Sequence, residues 1–227
     1  KGDVVAERPV QVGEAALAPV AAQFPGPIRQ VPPMHSALKK DGKALYEYAR
    51  AGQTVEREAR EVTIHELRLD LAEDAGRPAL RLTARVSKGT YIRTLGEDLG
   101  EALGCGAHLS FLRRTATGPF DVARCVTLQA LEAIPEDERL AALLPPEALV
   151  PGHDRVTLGT DDAARFLSGL RRRGPWPDSR AVAVFGREPH AFLGTGHVKA
   201  GELIPGRLLS PIEIQQILQS PTAITTP

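Results

Sequence analysis

The sequence has little cysteine, few aromatic residues and no net charge, and these shortages exclude several classes of protein. Two cysteines in 227 residues are too few for the disulfide framework of a small secreted domain, which predicts a reducing, cytoplasmic setting. The 28 lysines and arginines are balanced by 28 acidic residues, so the chain is not a strongly basic tail. No apolar run approaches the roughly 18 residues that a membrane span needs. Apolar residues still make up 42% of the chain, which predicts an ordered globular protein.

The beginning of the sequence leaves two possibilities open. The chain starts at Lys1, and its only methionine is Met34. A trimmed start and the later part of a longer protein both fit this beginning. The difference matters for mechanism, because a longer protein could carry catalytic groups that these residues lack.

Basic residues are unevenly distributed along the neutral chain. Residues 29–60 hold seven basic against four acidic residues, and residues 81–93 hold four basic residues and no acidic one. Two more basic clusters are Arg113 with Arg114 and residues 171–173. Such segregation can place a basic face on a neutral protein, which suits a phosphate-bearing partner. Charge alone, however, favours the simpler interpretation of a solvated surface of mixed sign.

Periodicity in the first sixty residues predicts two helices and a long excursion. An apolar stripe over residues 11–24 predicts a helix, and the four prolines in residues 24–33 then impose extended or turn backbone. Residues 45–50 form a short predicted helix with Gly52 just beyond its end. Because residues 32–60 contain little apolar material, we expect them to leave the core and to serve a function.

A strand pair and an amphipathic helix follow. Residues 62–71 are rich in β-branched and aliphatic side chains, and residues 80–87 alternate strictly between apolar and polar, so both are predicted strands of an antiparallel pair. Apolar residues at helical spacing then predict a helix that starts near Ile92, with Thr90 as its N-cap and Gly104 as its stop.

The second half of the sequence predicts a small β-rich domain. We expect a strand over residues 108–112, a helix over residues 126–144 that is broken at Pro135, and a linker over residues 145–152. Beyond the linker, the pattern predicts a helix at residues 161–167 and two short strands at residues 181–185 and 191–193. It also predicts glycine turns at Gly194, Gly196, Gly201 and Gly206, and a frayed tail at residues 219–227.

The junction at residues 87–94 is the strongest candidate for chemistry. It joins a predicted strand end to a predicted helix start and presents Lys88, Tyr91 and Arg93 together. Tyr91 offers a flat ring and a phenol, and Arg93 offers a cation that can hold a carboxylate bidentately. The alternative is the ordinary polar start of an amphipathic helix.

Other motifs carry less. Cys105 and His108 lack the further ligands that a zinc site needs, so a structural role is favoured for both. Ser87 and Ser110 have no histidine and aspartate arranged with them for acyl transfer.

Three segments of the chain form ordered motifs. They are Gln30-Val31-Pro32-Pro33 with Ser36-Ala37-Leu38-Lys39, Gly42, Tyr46, Ala49-Arg50 and Gly52; Ser87 to Thr94 with Asp98-Leu99-Gly100 and Leu103-Gly104; and Leu112-Arg113-Arg114 to Gly118. In this order they resemble motifs of the TruB family of tRNA pseudouridine synthases. The resemblance covers approximately residues 1–150, and a weaker one links the segment after Gly152 to the reduced PUA-type RNA-binding domain of bacterial members.

The resemblance implies an enzyme that isomerises a T-loop uridine of tRNA to pseudouridine without a cofactor or a metal. The target base would be flipped into a pocket, where an aspartate attacks the nucleotide and the base is rejoined to the sugar through carbon. The partner would be the T-arm of tRNA, with no membrane involved, and we expect a monomer. The alternative is a non-catalytic module that binds tRNA.

Family roles transfer to individual residues of this chain. Tyr91 matches the tyrosine that stacks on the target base and helps to remove its C5 proton, and Arg93 matches the arginine that pairs with the catalytic aspartate. Leu112 matches an apolar residue lining the base pocket. Residues 32–60 match the insertion that closes on the T-stem. The basic side chains expected to bind RNA are Lys39, Lys40, Arg50 and Lys88.

One departure from the family pattern concerns the nucleophile. The family aspartate lies in a Gly-x-Leu-Asp motif, and these residues contain none. Asp98 matches a different family position and cannot replace it, and His35 lies where relatives often have tyrosine. We therefore expect that a missing N-terminal segment of the same protein supplies the aspartate and part of the sheet, and that this chain alone is inactive.

These interpretations combine into an α+β fold prediction. Residues 1–150 would form the C-terminal portion of a catalytic domain with a mixed or antiparallel sheet and flanking helices, incomplete in this chain. Residues 152–212 would form a small β-rich, PUA-like domain, followed by a tail at residues 213–227.

Overall fold

The computed structural model describes Val4 and residues 6–219. These residues divide into two compact units, with the boundary between Leu112 and Arg113. This division by internal contacts falls earlier than the predicted linker at residues 145–152. The assignment of separate roles to residues 1–150 and 152–212 stays a prediction. Within the described part of the chain, no helix is long and apolar enough to cross a membrane.

The first unit is built on a three-stranded antiparallel sheet with strand order β1-β4-β5. Its elements in chain order are α1 (Glu14–Ala21), β1 (Gly26–Gln30), β2 (Lys39–Lys40), β3 (Lys43–Ala44), α2 (Leu45–Arg50), β4 (Arg60–Asp74), β5 (Arg77–Val86) and α3 (Ile92–Ala102). Helices α1 and α3 cover the sheet, and their buried residues Leu17, Val20, Leu95 and Leu99 share a core with Ile64 of β4. Burying each of these side chains contributes about 1.5–3 kcal/mol relative to leaving it exposed.

Most predicted elements of this unit are confirmed. Helix α1 is shorter than predicted, since it begins after Gly13 and ends at Ala21. The alternation of residues 80–87 appears as β5, whose apolar residues are half-buried while Arg81, Thr83 and Arg85 are exposed. Strands β4 and β5 pair in antiparallel register, with Asp74 opposite Arg77 across the turn.

Helix α3 is confirmed, with one correction at its start. The N-cap is Tyr91 rather than Thr90, because the Thr90 hydroxyl donates instead to the Ser87 carbonyl at 2.9 Å. Gly104 ends the helix as predicted, with a positive φ of 80°. Within the helix, Gly100 is required by close packing: a Cβ there would lie 2.2 Å from the backbone nitrogen of Ala107.

The segment after α3 differs most from its prediction. Residues 108–112 do not form a strand, and Leu109 lies against Gly96 of α3 instead. The predicted helix at residues 126–144 does break near Pro135, but only its first part is α-helical. The elements of this part are β6 (Ala116–Thr117), β7 (Phe120–Asp121), α4 (Leu128–Ala133) and three 3-10 helices at Val122–Arg124, Glu136–Ala142 and Pro146–Leu149.

The rest of the second unit is β-rich, as predicted. Its five-stranded sheet has the order β8-β10-β11-β12-β9, in which β8 and β10 are parallel and the other neighbours are antiparallel. The elements are β8 (Asp154–Leu158), α5 (Thr160–Leu167), β9 (Arg172–Arg173), β10 (Ser179–Gly186), β11 (Ala191–Lys199), β12 (Glu202–Leu208) and α6 (Pro211–Gln219). Phe166 of α5 is fully buried against Val182, Val184 and Leu203 of the sheet. The α+β class with a β-rich C-terminal part is thus confirmed.

The glycines of this unit correct one expectation. Gly201 occupies a turn, but Gly194, Gly196 and Gly206 lie inside strands rather than at turns. A Cβ on Gly194 would lie 2.2 Å from the carbonyl oxygen of Arg207, so these glycines allow two strands to approach closely. The predicted frayed tail beyond Gln219 lies outside the described residues.

Candidate active site

The junction between β5 and α3 is held to the sheet by Ser87. The Ser87 N–H donates to the Thr63 carbonyl at 2.8 Å, and the Ser87 hydroxyl accepts from the Thr63 N–H, also at 2.8 Å. Gly89, with φ of 91°, allows the chain to turn before the helix begins. Lys88, Tyr91 and Arg93 therefore follow a strand end that is hydrogen-bonded to the sheet. As the sequence predicted, this segment joins the end of a strand to the start of a helix.

Tyr91 is held by its backbone and free at its ring. Its N–H donates to Gln30 Oε1 at 2.8 Å, and its carbonyl accepts from Gln30 Nε2 at 3.1 Å. The side chain is half-buried, and among the described residues its ring has no aromatic or cationic partner and its hydroxyl has no hydrogen bond. An aromatic face in this state can stack on a planar ligand.

Arg93, two residues after Tyr91 and the second residue of α3, is exposed. Its Nη2 donates to the backbone carbonyl of His35 at 2.9 Å, which links it to the start of the 32–60 insertion. Among the described residues, no carboxylate forms an ion pair with Arg93. The rest of the guanidinium is therefore available to a carboxylate, a geometry in which two parallel hydrogen bonds can form.

Sequence reasoning missed two of the groups that hold this site. Gln30 was singled out only as part of a motif, and His35 only as a departure from one. The Gln30 side chain is 3% exposed, and a buried amide of this kind needs hydrogen-bond partners, which the Tyr91 backbone supplies. Its place within the proline-rich segment at residues 24–33, as the first residue of a family motif, was the signal in the sequence, and it does not reveal the partner.

The insertion at residues 32–60 carries polar contacts of its own. Lys40 donates from Nζ to the Glu56 carbonyl at 2.8 Å, and the Tyr48 hydroxyl donates to the Lys40 carbonyl at 3.3 Å. Arg57 donates to the Pro32 carbonyl at 3.0 Å, which joins the two ends of the insertion. These contacts give the segment a defined shape although it contributes little to the core.

The predicted RNA-binding cations are not equivalent in the structure. The Lys40 ammonium is engaged inside the insertion, and the Arg50 guanidinium lies 5.2 Å from the ring centroid of Tyr46. Lys39 and Lys88 are exposed, and within the described part of the chain neither side chain has a hydrogen-bond or ion-pair partner. These two are the cations most available to an anionic ligand.

Leu112 and Asp98, the other two residues singled out in the sequence, do not belong to the junction at residues 87–94. Leu112, the last residue of the first unit, has 61% of its surface exposed, so it could line a pocket only where something else covers it. Asp98 is on α3, and its partial burial raises the pKa of its carboxyl. Among the described residues, no three His, Cys, Asp or Glu side chains are grouped to hold a metal ion.

Comparison with known proteins matches almost the whole chain to three family models. Residues 1–92 match "TruB family pseudouridylate synthase (N terminal domain)". Residues 93–150 match "tRNA pseudouridylate synthase B C-terminal domain", and residues 155–209 match "Pseudouridine synthase II TruB, C-terminal". The second boundary coincides with the end of the predicted linker.

Curated relatives and a solved structure agree with these matches. A tRNA pseudouridine synthase B of Verminephrobacter eiseniae is 59% identical over 93% of this chain and 64% of its own length. One of Ralstonia nicotianae is 52% identical over 92% of this chain and 68% of its own length. A chain in the crystal structure of a Cbf5-Nop10-Gar1 complex superposes with a TM-score of 0.62 and 25% identity, covering 90% of this chain and 64% of that one. The chain thus spans about two-thirds of the length of its relatives, and it belongs to the TruB family of pseudouridine synthases.

Proposed function

We propose that this chain is the part of a tRNA pseudouridine synthase that supplies Tyr91 and Arg93 to the catalytic site. The observation that carries the proposal is the β5–α3 junction, where hydrogen bonds from Gln30 hold the Tyr91 backbone while its ring has no partner. Arg93 donates to the His35 carbonyl through Nη2, and its remaining guanidinium donors are available to a carboxylate. Membership of the TruB family and the names of the relatives support the same activity.

The proposed substrate is a uridine in the T-loop of tRNA, flipped out of the loop so that its base stacks on the Tyr91 ring. The bond between N1 of the base and C1′ of the ribose breaks, the base turns, and C5 bonds to C1′. The proton lost from C5 is balanced by one gained at N1, so the reaction is an isomerisation. In this proposal, the Tyr91 phenol assists removal of the C5 proton.

The nucleophile in this proposal is an aspartate from a Gly-x-Leu-Asp segment outside these residues. Arg93 would pair with its carboxylate and keep it ionised, because a nearby cation lowers the pKa of a carboxyl. Leu112 would then line the pocket for the base, covered by the segment that brings the aspartate. The protein would act as a monomer in the cytoplasm.

Binding of the T-arm is assigned to the insertion and to the segment after Gly152. Lys39 in the insertion and Lys88, three residues before Tyr91, present exposed cations. Lys40 and Arg50 mainly maintain the insertion. The β-rich segment at residues 152–212 would act as the PUA-like RNA contact. RNA recognised by shape and by unstacked bases needs such a combination of cations and an aromatic face.

The test measures tritium release from tRNA labelled at C5 of uridine. The protein is this chain extended upstream by the family segment that carries Gly-x-Leu-Asp, and the intact mass of the natural protein shows whether it already exceeds 24.4 kDa. We expect stoichiometric release from the T-loop uridine, abolished by Arg93→Ala and reduced by Tyr91→Phe, while both variants still bind tRNA. Equal loss of binding and of turnover in Arg93→Ala would contradict a catalytic role for that residue.

The alternative is a non-catalytic module that only binds tRNA. It predicts salt-sensitive tRNA binding with no tritium release, even when the aspartate segment is supplied. A protein that binds tRNA weakly and without salt dependence would contradict both proposals, because phosphate contacts release counterions.

A further inference from the structure

The side-chain amide of Gln30 forms two hydrogen bonds with the backbone of Tyr91. Gln30 is 3% exposed, it lies at the end of β1, and its backbone pairs with Arg60 of β4. Its amide accepts the Tyr91 N–H at 2.8 Å and donates to the Tyr91 carbonyl at 3.1 Å. The amide orientation is fixed by these partners, because an N–H needs an acceptor and a carbonyl needs a donor.

This pairing holds the residue at which α3 begins. Tyr91 is the N-cap of α3, with extended φ and ψ of −94° and 106°, and it has no side-chain cap of its own. Its carbonyl also receives the Leu95 N–H at 3.0 Å, the first bond of the helix. The Gln30 oxygen is the acceptor for the Tyr91 N–H, so one buried amide holds both backbone groups of Tyr91 and shares only the carbonyl with Leu95.

We propose that Gln30 is a positioning residue for Tyr91: its buried amide fixes the Tyr91 backbone, and so the direction of the aromatic ring, against the rigid end of β1. Gln30 itself makes no contact with substrate in this proposal. The consequence for catalysis rests on the proposed function, but the consequence for the ring position does not.

Gln30→Glu is the sharpest perturbation because its effect can be switched. A protonated glutamic acid can donate its O–H to the Tyr91 carbonyl and accept the Tyr91 N–H, which reproduces both bonds. An ionised carboxylate cannot donate and would face the carbonyl oxygen. Burial raises the pKa of a carboxyl, so mild acidification should restore the pairing. Gln30→Met removes both bonds at similar volume and should be insensitive to pH.

The ring position can be measured directly, because the chain has three tyrosines. Fluorotyrosine labelling gives three ¹⁹F resonances, which are assigned with Tyr46→Phe, Tyr48→Phe and Tyr91→Phe. In Gln30→Glu at neutral pH, we expect the Tyr91 resonance alone to shift or broaden, and to return toward its wild-type position on acidification. In Gln30→Met it should be displaced at every pH.

Two controls separate this effect from its alternatives. Gln23→Glu makes the same chemical change at an exposed glutamine whose Nε2 donates to the Pro19 carbonyl at 3.2 Å, and it should leave the Tyr91 resonance unchanged. Wild-type protein over the same pH range accounts for pH effects that do not involve residue 30. An unmoved Tyr91 resonance in both Gln30 variants, or an equal displacement of all three resonances, would overturn the proposal.

The catalytic arm uses the upstream-extended protein. Misplacement of a catalytic group by about 1 Å costs roughly 10²-fold in rate, so we expect kcat of Gln30→Glu at neutral pH to fall by about that factor with KM nearly unchanged. Acidification should recover part of the loss relative to wild type. If the wild-type protein does not isomerise uridine, the proposed function fails, while the ¹⁹F result still decides the role of Gln30.

Discussion

Lys39 and Lys40, adjacent in the insertion, should contribute to tRNA binding in different ways, Lys39 through its charge and Lys40 by holding the insertion together. The Lys39 side chain is exposed and its ammonium has no partner in the described part of the chain, whereas the Lys40 ammonium donates to the Glu56 carbonyl at 2.8 Å. We predict that Lys39→Gln weakens tRNA binding through lost charge. Lys40→Gln should instead loosen the insertion, because the Glu56 carbonyl loses its donor.

The size of the Lys39 effect follows from counterion release. One neutralised phosphate contributes about 0.9 to the slope of log K against log salt on a duplex. Between about 1 M and 0.1 M salt this amounts to roughly 0.9 of a decade, or about eightfold in affinity. The same change is about 1.2 kcal/mol of binding free energy. Lys39→Gln should therefore reduce the slope by about one unit and the low-salt affinity by up to that factor.

The assay is a salt titration of tRNA binding by wild type, Lys39→Gln, Lys40→Gln and Lys39→Arg. The arginine variant keeps the charge and should keep the slope. Lys40→Gln should leave the slope unchanged and raise proteolytic cleavage within residues 32–60. Equal loss of slope in both glutamine variants would refute the assignment, because it would show that the Lys40 bond to Glu56 does not withhold its charge from RNA.

Three further predictions concern stability. Gly100→Ala should lower the free energy of unfolding by about 1–3 kcal/mol, since the new methyl meets backbone, whereas Gly152→Ala, with open space around it, should be nearly neutral in urea unfolding. Glu213 accepts the Ser210 N–H at 2.6 Å, which lowers the pKa of its carboxyl. The stability that this bond provides should be lost as pH falls below the ordinary pKa of 4.5. Glu213→Gln should remove that part of the acid sensitivity of thermal unfolding. Partial burial raises the pKa of the Asp98 carboxyl. Its contribution to the free energy of unfolding is therefore greatest at low pH and declines as pH rises through the pKa of the folded state. Asp98→Asn should flatten this pH dependence of thermal unfolding without loss of stability at neutral pH.

Local patterns predicted the elements that depend on local chemistry. The alternation in residues 80–87 anticipated β5 because one face of that strand packs on the core. Gly104 was correctly placed as the end of α3 because a positive φ there favours glycine. Thr90 is not the N-cap of α3, because its hydroxyl donates to the Ser87 carbonyl. Residue preference alone does not reveal this competing hydrogen bond.

Contacts between distant segments could not be predicted in the same way. Residues 108–112 have the composition of a strand, but Leu109 packs on Gly96 of α3. Gly194 and Gly196 suggest turns from sequence, yet their role is to let β11 and β12 approach closely. The Gln30 clamp spans 61 residues, so nothing in its own neighbourhood indicates Tyr91 as its partner. The prediction that a further N-terminal segment supplies the aspartate stays a prediction.

The strand order explains why two motifs that are far apart in sequence build one site. Strand β1 is antiparallel to β4, and β4 is antiparallel to β5, so β1 and β5 run in the same direction on opposite sides of β4. Their C-terminal ends therefore lie at the same end of the sheet. Gln30 ends β1 and reaches Tyr91 just beyond β5, and the His35 carbonyl meets Arg93 over a separation of 58 residues. A short stretch after β1 thus fixes the backbone of one candidate residue and one donor of the other, while leaving the aromatic face and the remaining guanidinium donors free. Any change that displaces the end of β1 should consequently disturb Tyr91 and Arg93 together, even though neither residue is altered.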